Sequence, residues 1–221
     1  MRIIAALALT FAGMAYSFSE ARAGSWLFWL GISLPYVFLV ALALHKMWDE
    51  GTLLDWLTPR WGDLSIGATS MIVLLFASWA ARRVLTPAGT ARQAWLFRIY
   101  LQLGNPEHLQ RSTAYTLLIL AICAAEEIVW RGMVLGDLTQ RFGRRAALPL
   151  SALAYGVSSL PTLWLLRDPV AGPNPLLITA AVGCGLVWSF LAAQLGRLTP
   201  VVISHMAFTY FTIVQFHLPG L

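Results

Sequence analysis

Apolar runs recur along the whole chain, and the breaks between them are short and carry arginine. Such runs occupy 3–18, 26–44, 64–81, 146–166, 176–195 and 200–216, and another begins at 113. A run of about 20 apolar residues is long enough to cross a bilayer as a helix. The expected fold is therefore all-α, a polytopic transmembrane helical bundle of about seven spans, forming a single integral membrane domain over residues 1–221. Composition agrees: 58% of residues are hydrophobic and 11% charged, against roughly 25% charged in soluble globular domains. Ten Trp fit the same reading, because indole rings favour the membrane interface.

Two stretches read differently. Residues 45–63, "HKMWDEGTLLDWLTPRWGD", mix charges with three Trp and are expected to lie along the interface. Residues 94–103 alternate apolar with basic residues and are too short to cross, which suggests an amphipathic surface helix or a re-entrant piece. Residues 1–24 read as a first span; the alternative is a secretory signal ending at Ala21-Arg22-Ala23.

The net charge of +5 lies mostly in segments flanking the apolar runs. Membrane orientation and anionic headgroups account for that placement, and no nucleic acid partner is expected. Orientation itself is ambiguous, because Arg82, Arg83, Arg92, Arg98 and Arg111 precede the fourth span while Arg141, Arg144 and Arg145 follow it. Cys123 and Cys184 sit in apolar runs far from any Cys-x-x-Cys spacing and read as small buried hydrophobes, with neither a disulfide nor a zinc cage expected.

Within the fourth span stands "AAEEIVWRGMVL", residues 124–135. An ionisable residue at bilayer depth costs roughly 2.5–3.5 kcal/mol on insertion scales, so three of them form a functional-site hypothesis. Helical spacing puts Glu127 and Arg131 on one face, where the arginine neutralises and orients the carboxylate. Glu126 points about 100° away with no helical counter-ion. An unpaired carboxylate in a water-accessible membrane cavity is a candidate general base.

Polar residues in other apolar runs are its candidate partners. His205 lies in the last run with Ser204 beside it and Thr209 four residues on, and an imidazole there suits donation to a developing oxyanion. The fifth run offers Tyr155, Ser158 and Ser159. His45, His108 and His217 lie in loops or at the chain end, no His-Glu-x-x-His occurs, and no metal or cofactor is expected.

Three of these sites resemble the motifs of the CPBP family: type II CAAX prenyl endopeptidases and bacteriocin-processing or immunity proteins, described as glutamic intramembrane proteases. "EEIVWR" matches its Glu-Glu-x-x-x-Arg motif at Glu126, Glu127 and Arg131, followed by Gly132. "YGVSS" stands where the family has Phe-x-x-x-His, with Tyr155 for the Phe and Ser159 for the His. "HMAFT" supplies His205 of the His-x-x-x-Asn motif but ends in Thr209. The resemblance covers residues 110–221, the family-like catalytic core, and the N-terminal half matches only as apolar spans.

The resemblance implies that Glu126 activates a water, with Ser159 in the place of the assisting histidine. It makes His205 and Thr209 the oxyanion donors and Glu127, Arg131 and Tyr155 the structural support. The implied activity is hydrolysis of a peptide bond in a membrane-anchored protein or peptide, in a bacterial inner (cell) membrane. Prenylated CAAX peptides, leader peptides and C-terminal sorting tails are the substrate classes it suggests. The two altered motifs leave a second reading open, a non-catalytic scaffold or bacteriocin-immunity protein that binds a peptide. A small transporter using Glu126 for a proton or cation is a third, weakened by the absence of inverted repeats.

Overall fold

The computed structural model describes residues 1–215 and is helical throughout, with no strand among the described residues. The N-terminal part comprises α1 (Arg2–Ser17), α2 (Trp26–Asp49), α3 (Leu53–Leu57), α4 (Asp63–Leu85), α5 (Gln93–Leu103) and α6 (Pro106–Arg111). After these come α7 (Thr113–Glu127), a π-helical segment Ile128–Val134, α8 (Leu135–Ser158), α9 (Thr162–Leu165), α10 (Leu176–Leu195), α11 (Thr199–Thr209) and a second π-helical segment Tyr210–Gln215.

Of these, α2, α4 and α10 are long and apolar enough to cross a membrane, while α1 is apolar but has 16 residues. The side chains that α4 leaves exposed include Leu64, Ile72, Val73, Phe76 and Trp79, an apolar outer face suited to lipid rather than water.

Local sequence sets the boundaries. Asn105 caps α6, its side-chain oxygen accepting from the Glu107 and His108 amides at 2.8 and 3.4 Å, with Pro106 in the first helical position. Gly196, at φ 62°, ends α10 in the left-handed conformation. Gly143 breaks α8 at φ 74° and ψ 160°, a region open essentially to glycine alone, and there the chain turns back into the bundle.

Several expected boundaries move. The run at 26–44 continues to Asp49, so His45 is on a helix rather than in a loop, and His108 lies within α6. The run at 146–166 is divided: α8 ends at Ser158, and Ser159–Pro161 turn into the short α9. The last run is helical through Gln215, and the expected end at Phe216 and His217 lie outside the described residues.

Small residues let helices approach closely. A Cβ on Gly13 would stand 2.7 Å from Pro35 Cγ and 2.8 Å from Gly31 O, so α1 and α2 meet nearly backbone to backbone. At one end of the bundle lies α5. Its Gln102 donates to Ser17 O and Ser19 O at 2.7 and 3.1 Å, and Trp95 Nε1 donates to Gly172 O at 3.2 Å.

The loop it meets is ordered by Asp168, which accepts from the Val170 and Ala171 amides, and those donors hold its carboxyl below the usual carboxylate range. The opposite end is tied by ions: Lys46 Nζ lies 3.3 Å and Arg2 Nη1 3.6 Å from Asp137 Oδ1, and Arg197 Nε lies 2.7 Å from Asp63 Oδ1. Between these ends a buried apolar core packs α1, α2, α8, α10 and α11 around the first π-helical segment, with Trp130, Met133 and Val134 at its centre.

Candidate active site

The charged cluster forms where α7 gives way to its π-helical continuation. Glu126 and Glu127 are the last residues of α7, and Arg131 lies in the wider π turn that follows. Such wide turns within α-helices are frequent at functional sites. Glu127 and Arg131 are both 0% exposed. Arg131 Nη1 donates to Glu127 Oε1 at 3.1 Å, and its Nη2 donates to the Gly185 carbonyl of α10 at 3.3 Å. Glycine at 185 permits that approach, since a Cβ there would stand 3.3 Å from Ala152 Cα and 3.3 Å from the guanidinium itself. The guanidinium also lies over the Tyr155 and Trp188 rings, 4.8 and 5.4 Å from their centroids.

From α11, His205 enters between the two carboxylates. Its Nδ1 is 2.7 Å from Glu127 Oε1, and its Nε2 is 3.5 Å from Glu126 Oε2. An ionised carboxylate only accepts, so Nδ1 carries a hydrogen and Nε2 is the nitrogen left for chemistry. The imidazole stacks on Trp188 at 3.9 Å between centroids with a 23° interplanar angle. Trp188 is fixed in turn, its Nε1 donating to Ser204 Oγ at 3.2 Å, and Ser204 donates to Ser70 of α4 at 3.1 Å.

Glu126 is the one carboxylate of the pair with an open side, its side chain being 17% exposed. The Tyr155 hydroxyl of α8 donates to its Oε2 at 2.7 Å. A second buried phenol, Tyr36 of α2, accepts at its hydroxyl from Trp130 Nε1 of the π-helical segment at 3.2 Å. Two carboxylates, one guanidinium and one imidazole sum to zero formal charge when a single proton is shared between Glu126 and His205. Neutrality of that kind is what a site at bilayer depth requires.

The structure thus brings Glu126, Glu127, Arg131, Tyr155 and His205 together. It does not bring in the other two sequence candidates. Ser159 caps the end of α8, and Thr209 lies one turn beyond His205; among the described residues neither hydroxyl hydrogen-bonds to the cluster. Cys123 and Cys184 are free thiols, the first buried. No group of three or more His, Cys, Asp or Glu among the described residues is arranged to hold a metal ion.

Sequence reasoning missed Trp188, Gly185 and Ser70. Trp188 and Gly185 carry no signal that separates them from ordinary packing residues.

Residues 109–211 match the family described as Type II CAAX prenyl endopeptidase Rce1-like. No curated protein and no solved structure matches the chain. The matched stretch contains Glu126, Glu127, Arg131, Tyr155 and His205, the whole converging cluster. That match, over residues 109–211, supports the reading of the three motifs as those of the CPBP family of type II CAAX prenyl endopeptidase-like proteins.

Proposed function

We propose that the protein is an intramembrane endopeptidase that hydrolyses a peptide bond of a membrane-associated protein or peptide by a Glu126-activated water, without a covalent intermediate. The observation that carries this reading is the asymmetry of the two carboxylates. Glu127 is closed off and bound to Arg131 and His205, whereas Glu126 has an open side beside the available Nε2 of His205.

In this reading Glu126 takes a proton from water while the oxygen attacks the carbonyl carbon. His205 as imidazolium donates from Nε2 to the developing oxyanion. The Glu126 carboxyl then returns its proton to the leaving amine as the carbon–nitrogen bond breaks, and the carboxylate is regenerated. Glu127 and Arg131 hold the imidazole in the orientation that leaves Nε2 free.

The membrane topology we infer has seven crossings: α1, α2, α4, α7 with its π continuation, α8 beyond Gly143, α10, and α11 with its π continuation. The cluster then sits near mid-depth. Glu126 lies 13 residues into the crossing that starts at Thr113, about 20 Å along a helix that rises 1.5 Å per residue. A bacterial inner membrane is the setting we assign to it.

The second reading, a scaffold or immunity protein that binds a peptide at the same cluster, is favoured by one observation: among the described residues neither the Ser159 nor the Thr209 hydroxyl hydrogen-bonds to it. Comparing protein termini in native-host membranes carrying wild type or Glu126→Gln at matched abundance separates the two. The endopeptidase reading expects a terminus present only with wild type. Identical termini, under conditions where the protein is needed, favour the binding reading.

A further inference from the structure

Ser70 is buried on α4, in the N-terminal half of the chain and outside the stretch 109–211. Gly67, one turn before it, brings α4 hard against α11: a Cβ there would stand 2.7 Å from Ile203 Cγ2 and 2.9 Å from Pro200 O. That approach puts Ser70 within reach of the fully buried Ser204, which donates to it at 3.1 Å. Trp188 Nε1 donates to the same Ser204 oxygen at 3.2 Å. An indole N–H can only donate, so Ser204 accepts from Trp188 and its one hydrogen is left for Ser70. The three side chains form a directed chain across α10, α11 and α4. It ends on the indole whose face stacks on the His205 imidazole, 3.9 Å between centroids.

The hydrogen bond from His205 Nδ1 to Glu127 Oε1, at 2.7 Å, fixes one ring atom and leaves the ring able to tilt about that bond. A flat neighbour that is itself held in place removes the tilt. We propose that Ser70 and Trp188 are positioning residues of this site: the Ser70–Ser204–Trp188 chain fixes the plane of the indole, and the indole fixes the plane of the His205 imidazole and the direction in which Nε2 points. This rests on the reading of His205 as the oxyanion donor, and it makes α4 a working part of the site. Without Ser70 as acceptor, the Ser204 hydroxyl turns to the carbonyl one turn back in its own helix, and the indole loses its fixed partner.

The test uses the full-length protein in detergent, with histidine labelled in its ring, and reads the ring C–H resonances by NMR. The His205 signal is identified by its loss in His205→Gln. An imidazole stacked on an indole face is shifted upfield by the aromatic ring current, so the wild-type signal is expected upfield of the other histidine signals. Ser70→Ala is expected to move it downfield toward them, and Ser70→Thr, which keeps the hydroxyl, to leave it in place. The matched control is Ser151→Ala. It removes a hydroxyl from another buried serine pair, Ser189 and Ser151 at 3.5 Å between α10 and α8, which takes no part in the chain. There the His205 signal should keep its wild-type position.

Where Ser70→Ala fails to fold, Ser204→Ala cuts the same chain from α11 and is expected to move the signal the same way. An unmoved signal on loss of either hydroxyl overturns the proposal, as does equal movement in Ser151→Ala, which would mark general loosening. A wild-type signal lying among the other histidines contradicts the stacking itself. None of these readouts needs proteolysis. Failure of the proposal is thus distinguishable from failure of the endopeptidase reading, which shows as absent cleavage by the wild type. Where wild type cleaves, Ser70→Ala is expected to lower kcat about fivefold, the scale of one hydrogen bond, with KM little changed. An unchanged kcat overturns the positioning role.

Discussion

Arg131 gives one N–H to Glu127 and another to the Gly185 carbonyl, yet its Nε and Glu127 Oε2 have no partner among the described residues. A buried ion pair left partly unsatisfied is a poor source of stability. Its better-supported role is to orient His205, which bonds the same Glu127 oxygen that Arg131 does. Removing one member strands a buried charge, so Glu127→Ala or Arg131→Ala is expected to destabilise the protein by about 3–5 kcal/mol. Glu126→Gln, on the one side chain of the pair that is not fully buried, should leave stability near wild type. Thermal unfolding in detergent distinguishes them, and equal loss in all three variants would contradict the division of roles. The Glu127–Arg131 contact was legible in the sequence because it obeys the helical i, i+4 rule. The imidazole between the two carboxylates was not. It depends on how α11 packs on α7, a contact between residues 78 positions apart.

At the scale of elements, the site exists because α8 and α10 pack closely enough for Arg131 to reach across to α10. Gly185 is the contact point, facing both Ala152 and the guanidinium. Gly185→Val is expected to push Arg131 away from Glu127 and to cost about 1–3 kcal/mol from overpacking. Cleavage activity should fall further than stability alone accounts for. Activity normalised to folded protein checks this, and full activity would show that the α8–α10 contact does not position the site. Helix existence and approximate extent followed from the apolar runs. The π turn after Glu127 and the break at Gly143 did not, because hydropathy reports which residues avoid water and is insensitive to the backbone hydrogen-bond pattern. Ser70 was hidden for a related reason: among apolar neighbours a buried hydroxyl reads as packing until the elements facing it are known.

For the whole molecule, the alternating helix directions put the two arginine clusters at opposite ends of the bundle. The end capped by α5 carries Arg22, Arg82, Arg83, Arg92, Arg98, Arg111 and Arg167; the other carries Arg2, Lys46, Arg60, Arg141, Arg144, Arg145 and Arg197. Seven basic residues at each end explain why a positive-inside argument from sequence gave no orientation. Cysteines introduced singly as Arg98→Cys and Arg144→Cys are expected to react with a membrane-impermeant maleimide from opposite faces, and labelling from one face would contradict the proposed crossings. The account turns, finally, on whether Glu126 drives hydrolysis. The most direct measurement is cleavage, by purified protein in liposomes, of the peptide whose new terminus distinguishes wild-type from Glu126→Gln membranes. The account predicts that wild type cuts at that terminus and that Glu126→Gln, equally folded, is slower by about 10²–10⁴-fold, the span of general acid–base catalysis. Cleavage at the wild-type rate by Glu126→Gln would contradict it.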